Sequence, residues 1–147
     1  MTLKSEPLKT CTLAVRDFLR DELTNPKDAG AEGSSWIFTA RHERTLSYPM
    51  VVVEAVDTPT DTITDATGAL ANALITLRMR IEVWADNVVH RDSITDEVIY
   101  DLLRAGTYFT AQDMHDLSLD NTITLGDPND ERARRRNIYI SLKVIGK

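Results

Sequence analysis

Three histidines, one cysteine, a spaced row of aspartates and an arginine cluster are the residues with which this 147-residue chain could do chemistry. His42, His90 and His115 lie far apart in sequence and do not form the close pair with which a helix or hairpin begins a metal site. Cys11 stands alone, which excludes a disulfide framework and a cysteine-based zinc centre. His90-Arg91-Asp92 matches the opening of a phosphotransferase catalytic loop, but that loop needs Asn five residues after the Asp, and position 97 is Glu. Asp92 is better read as an acid in the first turn of a helix, favoured by the helix dipole. Asp57, Asp61 and Asp65 are four residues apart. Calcium loops place ligands at alternate positions around a glycine, so this row reads as a solvated strand or loop. There is no glycine-rich phosphate loop.

The arginines are more suggestive. Arg132, Arg134, Arg135 and Arg136 form a cluster directly after Asp127, Asp130 and Glu131. Nucleic-acid binding needs a surface that neutralises several phosphates, and a stacking platform needs interleaved aromatics. The flanking acids dilute the field and no aromatics interleave. Contact with an acidic neighbouring subunit and plain surface salt bridging both account for the cluster. The chain carries 23 acids against 17 bases, a net charge of −6, which repels free nucleic acid. With 42% hydrophobic residues, disorder of the whole chain is excluded. No apolar run approaches the length of a membrane span, and the first residues lack the apolar core of a signal peptide.

The elements that must position these residues follow from periodicity. Residues 6–23 predict an amphipathic helix with Leu8, Cys11, Val15, Phe18, Leu19 and Leu23 on one stripe. Residues 35–41 and 48–56 predict strands, with Arg41 to Ser47 as a hairpin loop between them. Residues 73–85 form the clearest strand: Ile75, Leu77, Met79, Ile81 and Val83 share one face, and Thr76, Arg78, Arg80, Glu82 and Trp84 the other. A second helix spans 91–105, closed by Gly106 in a left-handed C-cap. Strands over 117–125, with Asn121 out of pattern, and 135–145 complete the chain. The order is α-β-β-β-α-β-β. It predicts an α+β two-layer sandwich, one domain with a mainly antiparallel sheet of about five strands and two helices on one face. Leu8, Val15, Leu19, Leu77, Met79, Ile81, Val98, Leu102, Ile140 and Leu142 are the expected core.

Two helices cannot cover both faces of such a sheet. The second face carries Arg78, Arg80, Trp84, Arg135 and Tyr139, residue types enriched at subunit interfaces; packing under a loop or helix is the alternative for Trp84. Residues 56–73 are too long for a structureless loop and predict a hairpin arm extending beyond the sheet. A turn at Asp65-Ala66-Thr67-Gly68 pairs Asp65 with Ala69 and fixes the register: Val53 meets Ile81, Val51 meets Val83 and Glu54 meets Arg80. Pro59 is expected to interrupt the pairing. Asp57, Asp61 and Asp65 on the arm could supply an acidic patch for the next subunit.

Three segments carry a family resemblance. Tyr48-Pro49-Met50-Val51-Val52-Val53, Leu77 to Ala85 with its Val83-Trp84 pair, and Arg136 to Val144 resemble strands of the tail terminator (tail completion) proteins of tailed phages and archaeal tailed viruses. The helix Asp96 to Leu103 falls where that family places one, and length and element order agree. The resemblance implies a non-enzymatic virion protein, assembled in the host cytoplasm, with no catalytic residues, metal or cofactor. It implies a ring of copies, most simply a hexamer, that ends tail-tube growth and joins tail to head. Its partners would be itself, the tail tube protein and a neck or connector protein, with DNA at most passing through the lumen and no membrane. A neck or head-completion ring is the alternative. A small-molecule enzyme and a nucleic-acid-binding module stand as readings from other classes.

Overall fold

A computed structural model describes residues 7–39, 48–57, 60–64, 70–125 and 135–146. They form three helices, α1 (Pro7–Glu22), α2 (Val88–Leu103) and α3 (Gly106–Ala111). The strands are β1 (Ile37–Phe38), β2 (Met50–Asp57), β3 (Thr60–Thr64), β4 (Leu70–Trp84), β5 (His115–Leu125) and β6 (Arg135–Gly146). The sheet runs β1-β2-β4-β6-β5, with β3 continuing beyond β2 along the same side of β4. The fold is α+β, as the alternation of periods predicts, with every pair antiparallel except β1 and β2.

That exception corrects the hairpin expected over Arg41 to Ser47. Ile37 pairs with Val51 and Phe38 with Val52 in parallel, a pairing that a hairpin does not give; residues 40–47 lie outside the described residues. The strand expected over 35–41 is reduced to two residues because a 3-10 turn, Gly33–Ser35, precedes it. This turn sits directly on the last turns of α1. A Cβ on Gly33 would lie 2.4 Å from the Arg20 carbonyl oxygen, so the approach requires glycine. Arg20 Nε donates to the Ile37 carbonyl at 2.9 Å, tying the helix to β1.

The period-two reading of β4 sets the core. Leu77, Met79, Ile81 and Val83 are fully buried, and the register brings Ile138, Ile140 and Leu142 of β6 and Val51 and Val53 of β2 to the same face. Cys11, Val15 and Leu19 of α1 and Ile94, Val98 and Leu102 of α2 pack there. Each such side chain contributes about 1.5–3 kcal/mol on leaving water, so this face dominates the stability. Leu8 departs from the expected core. It is 46% exposed.

α2 begins three residues earlier than periodicity suggests, because the Asn87 side chain accepts from the His90 N–H at 2.8 Å and caps it. Asp92 is therefore in the second turn, paired with Arg91 at 3.0 Å and Arg136 at 3.2 Å, and is not a first-turn acid. Nor does Gly106 close the helix. α2 ends at Leu103 with Arg104 as its C-cap, and Gly106 opens α3, which holds its shape by packing: Tyr108 and Phe109 lie 5.0 and 5.4 Å from the Phe18 ring. The left-handed residues come later, Asp113 with φ 56° just past α3 and Asp116 with φ 54° in β5.

The register between β2 and β4 is the expected one: Val51 meets Val83, Val53 meets Ile81 and Glu54 meets Arg80. It slips by one after Ala55, where Val56 bulges, and slips back by one between Ile63 and Thr64. The two shifts cancel, so Thr64 meets Leu70 in the register that the Asp65–Ala69 pair demands; that pair and Pro59 lie outside the described residues. The hairpin extends less far beyond the sheet than expected, since β6 accompanies β4 as far as Ala73.

Gly33→Ala should cost about 1–3 kcal/mol through the forced retreat of the turn from α1, lowering Tm by roughly 3–10 °C. An unchanged melting curve would show that the turn does not bear on the helix.

Candidate functional site

The face of the sheet turned away from the helices is built from the even-numbered residues of β4 and their partners. Arg80 meets Glu54 on one side and Tyr139 on the other; Glu82 meets Val52 and Asn137; Trp84 meets Met50 and Arg135. Four of the five β4 and β6 residues singled out in the sequence, Arg80, Trp84, Arg135 and Tyr139, are thus brought together. They are half-buried and not an open patch. Arg78 is exposed and lies one row away, between Asp57 and Ser141. Asp61 is in β3, remote from this cluster, and Asp65 lies outside the described residues.

The cluster is organised by a residue that sequence reasoning passed over. Glu82 is fully buried. One carboxylate oxygen accepts from Trp84 Nε1 at 3.1 Å and lies 3.7 Å from Arg135; the other lies 3.3 Å from Arg80 Nε. Arg80 also pairs with Glu54 through a short hydrogen bond. Burial of the Arg80 guanidinium works against its charge, but the hydrogen bond and charge of Glu54, the charge of Glu82 and the Tyr139 hydroxyl outweigh it and raise its pKa. Arg135 covers the Trp84 ring at 4.8 Å, and Tyr48 stacks on the ring at 6.4 Å and 16°. Asn137, also buried, donates to the Tyr139 hydroxyl at 3.3 Å and leaves its own Oδ1 without a partner. Alternation placed Glu82 on a polar face and so suggested solvent. Among the described residues, Arg80, Trp84 and Arg135 are side chains that contact it.

This arrangement holds a surface in shape; it presents no nucleophile beside a base. Among the described residues no group of three His, Cys, Asp or Glu could hold a metal, and no helix is long and apolar enough to cross a membrane. His90 and His115 lie on α2 and β5 and do not join a ligand set there, and Cys11 is buried in the core. The chain matches no protein-family model and no curated protein. A second electrostatic feature lies on the helix side. The Asp101 carboxyl has an oxygen without a hydrogen-bond partner, and burial, then the charges of Glu97 and Glu22, raise its pKa.

Arg80→Met should leave Glu82 buried with half its compensation and cost on the order of 3 kcal/mol, whereas Arg80→Met combined with Glu82→Leu should recover much of the loss. Chemical denaturation of the three proteins checks this, and a neutral single substitution would count against the network. For Asp101 the folded chain keeps its proton to higher pH than the unfolded chain. Stability therefore falls as pH rises from the ordinary value of 3.8 through the raised one. Asp101→Asn should raise Tm at pH 7, and the gain should vanish below pH 3.8; an equal gain at both pH values would contradict the charge argument.

Proposed function

We propose that the chain is a structural subunit of a tailed-virus particle, forming with copies of itself a ring at the head-proximal end of the tail, where it ends tail-tube growth and joins tail to head. The observation that carries this reading is the one-sided sheet. Among the described residues all three helices pack on one face, while the other carries the Glu82, Arg80, Arg135 and Trp84 network, of the composition that subunit contacts favour. A sheet of this kind is suited to contact with protein over a broad area.

The resemblance adds support from its placement. The three segments that resemble tail terminator proteins correspond to β2, β4 and β6, which are adjacent at the centre of the sheet, and the accompanying helix is α2. In this role the tail tube protein and a neck or connector protein meet the two sides of the ring. An acidic chain of net charge −6 lets DNA pass through the lumen without gripping it. The ring is most simply six-fold, matching the tube it caps.

Labelling and imaging the protein in assembled virions tests the reading. One ring at the head-proximal end of the tail is expected. Absence from purified particles, or distribution along the tail, sinks it, and a position one ring nearer the portal favours a neck protein. Arg78→Glu, an exposed change on the same face, should give filled heads and free tails that fail to join while the isolated protein still folds, as circular dichroism would show.

A further inference from the structure

The sheet has two long edges. On one side β5 pairs with β6 and with no other strand among the described residues; on the other, β3 pairs with β4 alone. Unpaired edges template the addition of strands, and proteins normally blunt them with charges, proline or bulges. The first half of β5 is blunted in this way. It carries Asp116 and Asp120, a left-handed residue at Asp116 and two register shifts. The second half is not. From Asn121 to Leu125 the ladder to β6 is regular, and the segment contains no charge and no proline. β3 is similar: its ladder is regular from Thr60 to Ile63, and Asp61 is its one charge.

The two open segments share a sequence, Thr62-Ile63-Thr64 in β3 and Thr122-Ile123-Thr124 in β5. Their directions also match. β3 is antiparallel to β4, β4 to β6 and β6 to β5, so β3 and β5 run in opposite senses. Two copies side by side in one orientation therefore present antiparallel strands to each other. We propose that copies of this chain join edge to edge, β3 of one pairing antiparallel with Asn121–Leu125 of β5 of the next. With Ile63 opposite Ile123, Thr62 falls opposite Thr124 and Thr64 opposite Thr122, which gives one Ile–Ile and two Thr–Thr cross-strand pairs, combinations that stabilise antiparallel ladders. The contact joins two different surfaces, so it continues from copy to copy and closes when the rotation allows. Ile63 is level with Asn72 of β4, whereas Ile123 is level, through Asn137, with Glu82, ten residues further along β4. Neighbours are accordingly staggered by about 33 Å along the strands, the kind of shear that a closed ring of tilted strands requires. This pairing deepens the proposed ring and rests on its copies sharing one orientation.

The test uses Ile63→Cys and Ile123→Cys, made separately and mixed at high protein concentration under mild oxidation. Residues directly opposite in an antiparallel pair lie within disulfide reach, and the native Cys11 is buried. Disulfide-linked dimers should form in the mixture and not in either variant alone, and a double variant should give a ladder ending in one discrete closed species. No cross-link, or equal cross-linking within either single variant, overturns the pairing. Mass by light scattering separates this from the proposed function. A discrete oligomer without the 63–123 link overturns the edge pairing and leaves the ring standing. The link in a protein absent from virions overturns the virion role and leaves the pairing standing. Ile123→Lys, which puts a charge on the β5 edge, should abolish the oligomer.

Discussion

β4 is hydrogen-bonded on both sides along most of its length, and this commits each of its residues to one face or the other. Leu77, Met79, Ile81 and Val83 have no alternative to the helix side; Arg80, Glu82 and Trp84 have none to the opposite side. Slipping either neighbouring strand by one residue would drive Glu54 or Tyr139 into the apolar core and turn Val53 or Ile140 out of it, a cost far larger than any single hydrogen bond in the ladder. α1 and α2 acquire their positions from that choice, because their apolar stripes find cover on one side of the sheet. The packing of α3 follows in turn, through Phe18 of α1.

On the opposite face the described residues show how polar and charged groups can be buried together. A buried carboxylate is expensive to desolvate, and Glu82 is tolerated because two guanidinium groups and an indole N–H surround it. The geometry is demanding: Arg80 reaches Glu82 along β4 itself and Arg135 reaches it from the neighbouring β6, while Arg135 lies over Trp84 at the same time. An apolar patch could bury as much area with less precision. A charged network of this kind fixes the orientation of its side chains, which favours a surface with one defined shape over a merely sticky one.

Much of this fold was legible in the sequence, and the failures have distinct physical causes. The strands with strict alternation, β4 and β6, and the helix with a continuous stripe, α1, were read to within a few residues because burial on one side imposes a period. Asn121, out of pattern in the sequence, falls where the register shifts between Leu119 and Asn121. β1 and α3 were misread or missed because each is too short to show a period and exists through packing against other elements. Gly106 looked like a C-cap because glycine serves both at helix ends and at helix starts. At the second face, the residue types on β4 and β6 were foreseen, but Glu82 was not distinguished from a solvated acid. Alternation reports which side a residue is on, and it carries no information about the size of the neighbours that shield it.

The position of β6 has a consequence for how the chain reaches this structure. β6 follows β5 in sequence yet lies between β4 and β5 in the sheet. Until β6 is made, β5 has no partner at all, and β4 is paired on one side. A chain interrupted at that stage therefore leaves unsatisfied the edges of β4 and β5 that β6 pairs, so that both sides of the uncharged segment Asn121–Leu125 are exposed. Pairing β6 to β4 joins residues about 60 positions apart, the slow, high-entropy class of contact that delays folding. The insertion of one strand is thus the step that completes the core, pairs β5 and removes the species most prone to aggregate. During synthesis the molecule is most vulnerable just before that strand arrives.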